Sequence, residues 1–279
     1  MPELPEVETV RRHLQQVLPS RRVVDVTLAR SDLRYPIPVA AVKALEGATF
    51  RAVRRRAKYL LCDLEAPGQA DRVLLVHLGM SGRLFIDPNA PHEWRKHEHW
   101  RMHLAPELWL RYVDARRFGA LDVLERANEA EHPLLAKLGP EPLDKAFSAQ
   151  HLLEMCKGRQ VAIKLVLMDQ KAVVGIGNIY ASEALYRAQL HPQRSAQTLK
   201  LREAKALVEA SQTVLQEAIA AGGSTLRDFV GGDEAPGYFQ QRLDVYGRDG
   251  EPCHRCGTVI SHVVLGNRAS YFCPKCQAR

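Results

Sequence analysis

The sequence contains no apolar run approaching the roughly 18 residues of a membrane-spanning helix, and its N-terminus lacks the apolar core of a signal peptide. These absences predict a soluble protein that is not exported. Internal repeats and low-complexity tracts are also missing, which excludes a repeat architecture. Four of the six cysteines lie near the C-terminus. The other two, Cys62 and Cys156, are predicted to be buried thiols in a reducing compartment.

The size and charge of the chain narrow the possibilities further. With 279 residues, 46% of them hydrophobic, the chain can bury the core of one large domain or of two ordinary ones. Lys and Arg number 39 against 32 for Asp and Glu, which gives a formal net charge of +7. This bias favours a polyanionic partner, although many basic proteins bind no nucleic acid.

The first half of the sequence predicts one helix followed by several short strands. Glu3 to Leu18 has apolar residues at helical spacing, and Pro5 is tolerated in the first turn. The segments that follow are rich in Val and Leu and are separated by Gly, Pro and Asp, a pattern typical of a β-sandwich. The predicted strands begin at Arg22, Tyr59, Arg72, Leu108 and Gly119.

The second half has a helical pattern. A Pro- and Gly-bearing connection at Pro133–Pro142 marks the predicted domain boundary. From about Phe147 to Ala221, apolar residues recur every three or four positions, which predicts a series of helices. A loop rich in Gly and small residues follows, and a cysteine module closes the chain.

The cysteine module predicts a zinc site. Two Cys-x2-Cys pairs, separated by residues 257–272, have the spacing of a four-thiolate structural zinc site on a hairpin, with the ligands Cys253, Cys256, Cys273 and Cys276. The alternative is a pair of disulfides, which the absence of export signals disfavours. Four protein ligands leave no open position, so the metal is expected to be structural. The hairpin would display Arg268, although taken alone this residue is better interpreted as a solvated surface charge.

The segment Gly175–Asn178 stands directly before a predicted helix. Glycines followed by Asn near the N-cap leave backbone N–H groups at the positive end of the helix dipole, which suits a phosphate. An ordinary turn between helices has the same pattern. Lys164 and Arg159 strengthen the phosphate interpretation because they place cations near this turn.

The N-terminus offers a nucleophile. Removal of Met1 would leave Pro2 with a free secondary amine, and α-amino groups titrate about two units below lysine. Attack of such an amine on a sugar carbon yields an iminium, which acts as an electron sink for eliminations. Glu3 could transfer protons around that centre. The same segment also reads as a capped helix start with acidic residues in its first turn, and taken alone it favours that interpretation.

Two further basic stretches suit a DNA groove or a solvated strand end equally well. Lys58 lies between basic residues and a predicted strand, and Arg116 with Arg117 precedes Phe118, a ring that could wedge into a base stack. In "KHEHW", His97 and His99 are predicted to share one face of a strand, but no third ligand is evident, so no catalytic metal is expected.

Taken together, these segments resemble the bacterial formamidopyrimidine-DNA glycosylases. The resemblance rests on an ordered set of motifs that spans nearly the whole chain, namely "MPELPEVETVRR", "RRAKYLL", "HLGMSG", "DARRFG", "LGPEPL", "GIGNIYASEAL", "PGYFQQRLDVYGR" and the zinc hairpin. Two departures are visible. Ala115 stands where the family motif has proline, and Glu234 and Ala235 occupy a lesion-capping loop that is often neutral or more basic.

The resemblance implies an α+β, two-domain fold, with an N-terminal β-sandwich flanked by helices and a C-terminal helix–two-turn–helix domain that ends in a zinc β-hairpin. The implied boundaries are 1–132 for the catalytic sandwich, 133–146 for a linker, 147–240 for the helical domain with its lesion-capping loop, and 241–279 for the zinc hairpin. One structural Zn²⁺ is implied. The implied partner is double-stranded DNA containing oxidised bases, bound by a monomeric protein of the bacterial cytoplasm associated with the nucleoid.

The implied activity is that of a bifunctional glycosylase and AP lyase of base excision repair. It would excise 8-oxoguanine opposite cytosine and formamidopyrimidines, with the damaged nucleotide flipped out of the duplex. Pro2 would form the Schiff base and Glu3 would act as general acid and base. Lys58 would assist β-elimination and contact phosphate, and Arg268 would serve δ-elimination and phosphate binding.

The resemblance also assigns DNA contacts. Asn178 and Lys164 would be phosphate ligands beside the lesion, whereas Met80, Arg116 and Phe118 would fill the gap left by the flipped base, with Arg116 facing the orphaned cytosine. The remaining implied DNA-contacting positions are His97 and Arg159.

Two other functions stay open from the sequence. An endonuclease VIII-like enzyme for oxidised pyrimidines would share Pro2, Glu3, the helical domain and the zinc hairpin, but "PELPEVE" and the set of Met80, Arg116 and Phe118 favour the purine branch. A non-catalytic zinc protein that only binds damaged DNA would have no need of a free N-terminal proline.

Overall fold

The computed structural model describes residues 2–223 and 243–278. Met1 and most of the predicted Gly-rich loop, including Glu234 and Ala235, lie outside the described residues. The chain divides into two compact units, Met1–Ala136 with Ala221–Gln240 and Lys137–Ala220 with Gln241–Arg279. None of the helices in the described ranges is long and apolar enough to cross a membrane.

The first unit contains two antiparallel sheets of four strands, with the orders β1-β6-β7-β5 and β2-β3-β4-β8. The predicted β-sandwich is therefore confirmed. Two α-helices and a 3₁₀ helix, Arg126–Glu131, accompany the sheets. The elements are α1 (Leu4–Val17), β1 (Val23–Leu28), α2 (Val39–Lys43), β2 (Thr49–Arg56), β3 (Tyr59–Glu65), β4 (Arg72–His77), β5 (Gly82–Asp87), β6 (Glu98–Leu104), β7 (Leu108–Asp114) and β8 (Ala120–Glu125).

Both sheets contribute side chains to one core. Trp100 of β6 stacks on Tyr112 of β7 with ring centroids 5.4 Å apart, and both rings are fully buried. Phe50 of β2 and Leu74 of β4 enter the same core from the other sheet. The apolar stripe of α1 is buried there as well. Burial of this apolar surface from two sheets and a helix stabilises the sandwich.

The sequence did not predict α2, β2, β5 or the 3₁₀ helix of this unit, and it indicated a strand at β6 only around His97 and His99. The strand β2 reads "TFRAVRRR" and β6 reads "EHWRMHL", so charged residues alternate with apolar ones. In each strand, one face packs on the core and the other faces outward. The sequences of these strands therefore lack the continuous Val- and Leu-rich run by which the other strands were predicted.

The second unit is helical and ends in a hairpin, as predicted. The long helix α6 packs against α3 and α5, and the hairpin strand β10 contacts α5. Ser148 caps α3 by accepting the His151 N–H at 3.1 Å. A 3₁₀ turn covers Ala196–Thr198. The elements are α3 (Ala149–Cys156), α4 (Ile163–Leu167), α5 (Asn178–Arg187), α6 (Leu201–Ala220), β9 (Ser261–Leu265) and β10 (Arg268–Phe272).

Candidate functional site

The N-terminal segment forms a capped helix start with a buried carboxylate. Glu3 is the N-cap of α1, and its backbone N–H donates to Glu6 Oε2 at 2.8 Å. The Glu3 carboxylate in turn accepts the Glu6 N–H, which completes a capping box. Glu3 and Glu6 are each 1% exposed, and Pro2 is buried directly before them. The two interpretations of this segment, a capped helix start and a reactive N-terminus, are therefore compatible. The capping box holds the Glu3 carboxylate next to Pro2, the predicted nucleophile.

Lys58 lies in the tight turn between β2 and β3 and is 8% exposed. The turn depends on Ala57, which has a φ of 54°. Burial, together with the positive charges of Lys58 and Arg34, lowers the pKa of His77 to about 4. His77 Nδ1 accepts the Gly79 N–H at 3.0 Å, which is consistent with a neutral imidazole. The ammonium of Lys58 thus lies close to a ring that stays uncharged at neutral pH.

The loops that carry Met80, Arg116 and Phe118 are packed against each other. Gly79 has a φ of 63°, and a Cβ at this position would collide with the backbone of Phe118 and Gly119. The Arg116 guanidinium lies over the Phe118 ring, 5.0 Å from its centroid. Phe118 is 42% exposed, so its ring is accessible from solvent. The structure therefore places the three residues predicted to fill the gap of the flipped base on two loops that contact each other.

The carboxylate of Asp114 joins these two loops, and sequence reasoning did not single it out. Its Oδ1 accepts from Ser81 Oγ at 2.6 Å and from the Arg116 N–H at 3.2 Å. Its Oδ2 accepts from the Gly119 N–H at 2.9 Å and from the Tyr112 hydroxyl at 3.2 Å. Asp114 is 0% exposed. The available signal was its position inside "DARRFG", at the end of an apolar strand.

The two histidines of "KHEHW" do not share a face, which corrects the sequence prediction. His97 precedes β6 in the left-handed region, with a φ of 66°, and is exposed. His99 is 7% exposed, and its Nε2 lies 2.7 Å from the backbone oxygen of Asp114. The backbone turns at His97, and β6 has an irregularity between Glu98 and Trp100, which together break the alternation assumed for a regular strand.

In the second unit, Lys164 is buried and organises its neighbours. Its ammonium donates to Asn178 Oδ1 and to Ser270 Oγ, both at 2.7 Å, and lies 3.4 Å from the Ala269 oxygen. Asn178 Nδ2 donates to the same Ala269 oxygen at 3.0 Å. Lys164 is 1% exposed. The structure thus brings Lys164 and Asn178 together with the zinc hairpin, through contacts that the sequence pattern did not reveal.

The turn before α5 places Asn178 next to the N-cap, as predicted. Gly177, not Asn178, is the N-cap, and Asn178 is the first helical residue. Gln170, which sequence reasoning missed, accepts the Gly175 N–H at 2.9 Å and donates to the Ile176 oxygen at 3.2 Å. Arg159 lies on the turn after α3, is 38% exposed at its side chain, and pairs with Asp169 at 3.1 Å.

The four cysteines of the module converge on one point. All are free, and their Sγ atoms lie within 4.8 Å of one another. Cys256 and Cys273 have Sγ atoms 3.5 Å apart, and those of Cys253 and Cys276 are 4.0 Å apart. A tetrahedral site with Zn–S bonds of about 2.3 Å separates its sulfurs by about 3.8 Å, so the set fits one structural zinc.

Side chains of the helical unit support this module. The Tyr186 hydroxyl lies 3.2 Å from Cys253 Sγ, where it can donate to a thiolate. The buried Glu183 carboxylate accepts the backbone N–H groups of residues 244–246 at 2.8–3.0 Å. Gln277 Nε2 donates to the Leu190 oxygen at 2.8 Å, and its Oε1 accepts the Cys273 N–H. These supports were not predicted, and all but the contact between Gln277 and Cys273 join residues distant in sequence.

Arg268 lies at the tip of the hairpin. It pairs with Leu265 across a two-residue turn in which Gly266 and Asn267 have φ values of 55° and 59°. Positive φ at both positions is typical of a type I′ turn, which matches the twist of the flanking strands. The Arg268 side chain is exposed, so the hairpin presents a cation to solvent.

Comparison with known proteins agrees with this architecture. Three family models match the chain in order: the formamidopyrimidine-DNA glycosylase N-terminal domain over residues 1–121, the formamidopyrimidine-DNA glycosylase H2TH domain over 138–230, and a zinc finger found in FPG and IleRS over 250–279. The sandwich, the helices and the zinc hairpin therefore define a class of DNA glycosylases with a helix–two-turn–helix domain.

Individual relatives cover the whole chain. A formamidopyrimidine-DNA glycosylase of Xanthomonas euvesicatoria is 49% identical over 277 residues, 99% of this chain and 100% of that protein. A Lactococcus lactis FPG variant in complex with DNA containing Fapy-dG has a TM-score of 0.91 and 32% identity, with 100% of both chains covered. MutM in complex with DNA containing carbocyclic 8-oxo-G has a TM-score of 0.90, 32% identity and the same coverage.

The chain belongs to the formamidopyrimidine-DNA glycosylase family. Members of this family are base-excision repair enzymes that also have AP lyase activity.

Proposed function

We propose that this protein excises oxidised purines, 8-oxoguanine opposite cytosine and formamidopyrimidines, and then cuts the strand by β,δ-elimination through a Schiff base on Pro2. The observation that carries the proposal is the buried Pro2 directly before the capping box, in which the Glu3 carboxylate is held in place. Complexes of structural relatives contain DNA with Fapy-dG and 8-oxo-G, which supports the choice of purine lesions, and one contains an oxidised pyrimidine.

The chemistry starts at the secondary amine that removal of Met1 exposes. The Pro2 nitrogen attacks C1′ of the damaged nucleotide, the glycosidic bond breaks, and the base leaves with the bonding pair and takes up a proton. Loss of the amine proton and opening of the sugar ring then give an iminium. Abstraction of a C2′ proton expels the 3′ phosphate, a second elimination expels the 5′ phosphate, and hydrolysis releases the sugar fragment from Pro2.

Glu3 and Lys58 serve these proton transfers in the proposal. The Glu3 carboxylate accepts and returns protons as the sugar opens, and its capping box keeps it in one orientation. Lys58 assists β-elimination and contacts phosphate. His77 is uncharged at neutral pH, so its ring adds no second positive charge near the Lys58 ammonium.

The DNA contacts divide into a gap-filling set and a phosphate-binding set. Met80, Arg116 and Phe118 fill the space of the flipped nucleotide, with Arg116 facing the orphaned cytosine. Asn178, Lys164, Arg159, His97 and Arg268 bind or position phosphates, and Arg268 also serves δ-elimination. Lys164 is buried against Asn178 and β10. It therefore contributes to phosphate binding by positioning Asn178 and the hairpin.

The substrate is double-stranded DNA with oxidised bases, and the protein acts on it as a monomer. The curated relatives are bacterial proteins. We infer a place in the bacterial cytoplasm, in association with the nucleoid.

Borohydride trapping tests the proposal. Reduction of a mixture of protein and an 8-oxoguanine:cytosine duplex should yield a covalent adduct at Pro2, located by peptide mass spectrometry, and active protein should lack Met1. Glu3→Gln should lower base excision by about 10²–10⁴-fold. Glu107→Gln, an exposed carboxylate with 71% of its side chain accessible, is the matched control and should leave excision unchanged.

The outcomes separate the competing functions. An adduct that forms only with thymine glycol would place the protein in the pyrimidine branch. No adduct on either duplex would leave only damage binding, and fully active protein that retains Met1 would refute the role of Pro2.

A further inference from the structure

We propose that Asp114 and Ser81 are positioning residues that hold the two gap-filling loops, residues 79–82 and 115–119, in the geometry needed to replace a flipped purine. The inference rests on the proposed function, because it concerns how Met80, Arg116 and Phe118 are presented. It adds a buried carboxylate and a hydroxyl that touch neither the substrate nor the reacting atoms.

The two loops come from different parts of the chain. Ser81 precedes β5, whereas Asp114 ends β7, and the two strands pair in the same sheet. The Ser81 hydroxyl donates to Asp114 Oδ1 at 2.6 Å and accepts the Arg116 N–H at 3.0 Å. One hydroxyl therefore connects the carboxylate, the first loop and the backbone of the second loop.

The carboxylate has its full set of partners. A carboxylate offers about four acceptor positions, and Asp114 receives four donors, from Ser81, Arg116, Gly119 and Tyr112. Two of those donors, the N–H groups of Arg116 and Gly119, bracket the segment that carries Phe118. Because Asp114 is 0% exposed, its carboxylate depends on these donors rather than on water.

The backbone of Asp114 is fixed as well. His99 Nε2 lies 2.7 Å from the Asp114 oxygen, and the Asp114 N–H donates to the His97 oxygen at 3.0 Å. The Arg117 N–H lies 3.3 Å from the Asp114 oxygen and closes the turn, at a residue whose φ is 56°. The carboxylate is thus anchored at the end of β7, and the loop residues are arranged around it.

This arrangement has a consequence for specificity. Arg116 and Phe118 are exposed, and the Arg116 guanidinium lies over the Phe118 ring. Exposed side chains on a loose loop would lose conformational entropy on entering the duplex, whereas a preorganised loop loses little. The carboxylate should therefore matter for flipping a stacked base and for reading the opposite base, and much less for cleaving a site that has no base.

The test compares Asp114→Asn and Ser81→Ala with wild type on three duplexes: 8-oxoguanine opposite cytosine, 8-oxoguanine opposite adenine, and an abasic site opposite cytosine. We expect excision opposite cytosine to fall about tenfold in Asp114→Asn and about fivefold in Ser81→Ala. The preference for cytosine over adenine should fall by a similar factor, while strand cleavage at the abasic site stays within about twofold of wild type.

The control is Asp63→Asn, which removes the same charge from a carboxylate paired with Arg54 and Arg126. It should leave the ratio of the three activities unchanged. In a double-mutant cycle, Ser81→Ala should add little to the loss caused by Arg116→Ala, because both act on the same loop. Ser81→Ala keeps the test decisive if Asp114→Asn does not fold.

Two results would overturn the inference. In the first, Ser81→Ala keeps the wild-type rate and opposite-base preference. In the second, all three activities fall in parallel, as expected of a general loss of structure. Failure of wild type itself to excise oxidised purines would instead count against the proposed function.

Discussion

Replacement of the buried Lys164 by methionine should disconnect the zinc hairpin from the helices of its unit. Methionine keeps the apolar stem and removes the ammonium, which leaves Asn178 Oδ1 and Ser270 Oγ without their donor at 2.7 Å. Hydrogen bonds to charged groups contribute about 1.5–3 kcal/mol each. Because desolvation of the ammonium opposes this gain, we expect a net loss of about 3 kcal/mol.

The loss should appear in thermal unfolding. For a unit of this size, about 3 kcal/mol corresponds to a drop in Tm of roughly 10 °C. Lys205→Met, at an exposed position on α6, is the matched control and should melt like wild type. Differential scanning calorimetry of the zinc-loaded proteins measures both values.

DNA binding gives the second readout. A direct phosphate contact adds about 0.9 to the slope of log K against log salt. If Lys164 acts through Asn178, the double variant Lys164→Met with Asn178→Ala should bind like the more severe single variant. One result would refute the reasoning. Lys164→Met would keep the wild-type Tm, and its slope of log K against log salt would fall by about 0.9 whether or not Asn178 is also replaced. Lys164 would then be a direct phosphate ligand.

Two further predictions concern the metal and pH. Removal of zinc by chelation, or Cys253→Ser, should expose the remaining thiols to alkylation and weaken DNA binding, because structural zinc contributes on the order of 10 kcal/mol to folding its module. The low pKa of His77, about 4, should make the free energy of unfolding fall as the pH drops from about 6.5 to 4, by at most about 1.4 kcal/mol per unit. Over that range the unfolded chain binds a proton on this imidazole that the folded chain does not.

Each of these has a direct check. Metal analysis should find one zinc per chain, and a chelated protein with undiminished affinity and protected thiols would contradict the structural role. His77→Asn keeps an acceptor near the Gly79 N–H but has no titrating group, so the pH dependence of its unfolding should be flatter than in wild type. His92→Asn, at an exposed histidine, should retain the wild-type slope.

The order of motifs and the local patterns determined much of this protein. The zinc ligands could be predicted because each Cys-x2-Cys pair forms a compact knuckle, and the metal requires only that the two knuckles meet. Most helices and most strands could be predicted because their apolar spacing follows the helix or strand period. The family resemblance supplied the remaining expectations for Pro2, Glu3 and Lys58.

Only the tertiary structure decided which isolated polar residues are buried and what they hold. Ser81 and Asp114 are 33 positions apart, and Lys164 and Ser270 are 106 positions apart, so no local pattern pairs them. Sheet pairing brings the first two together, and docking of the zinc hairpin brings the second two together. The sequence specifies such partners through the whole fold, because a buried charge is stable only where non-local groups satisfy its hydrogen bonds.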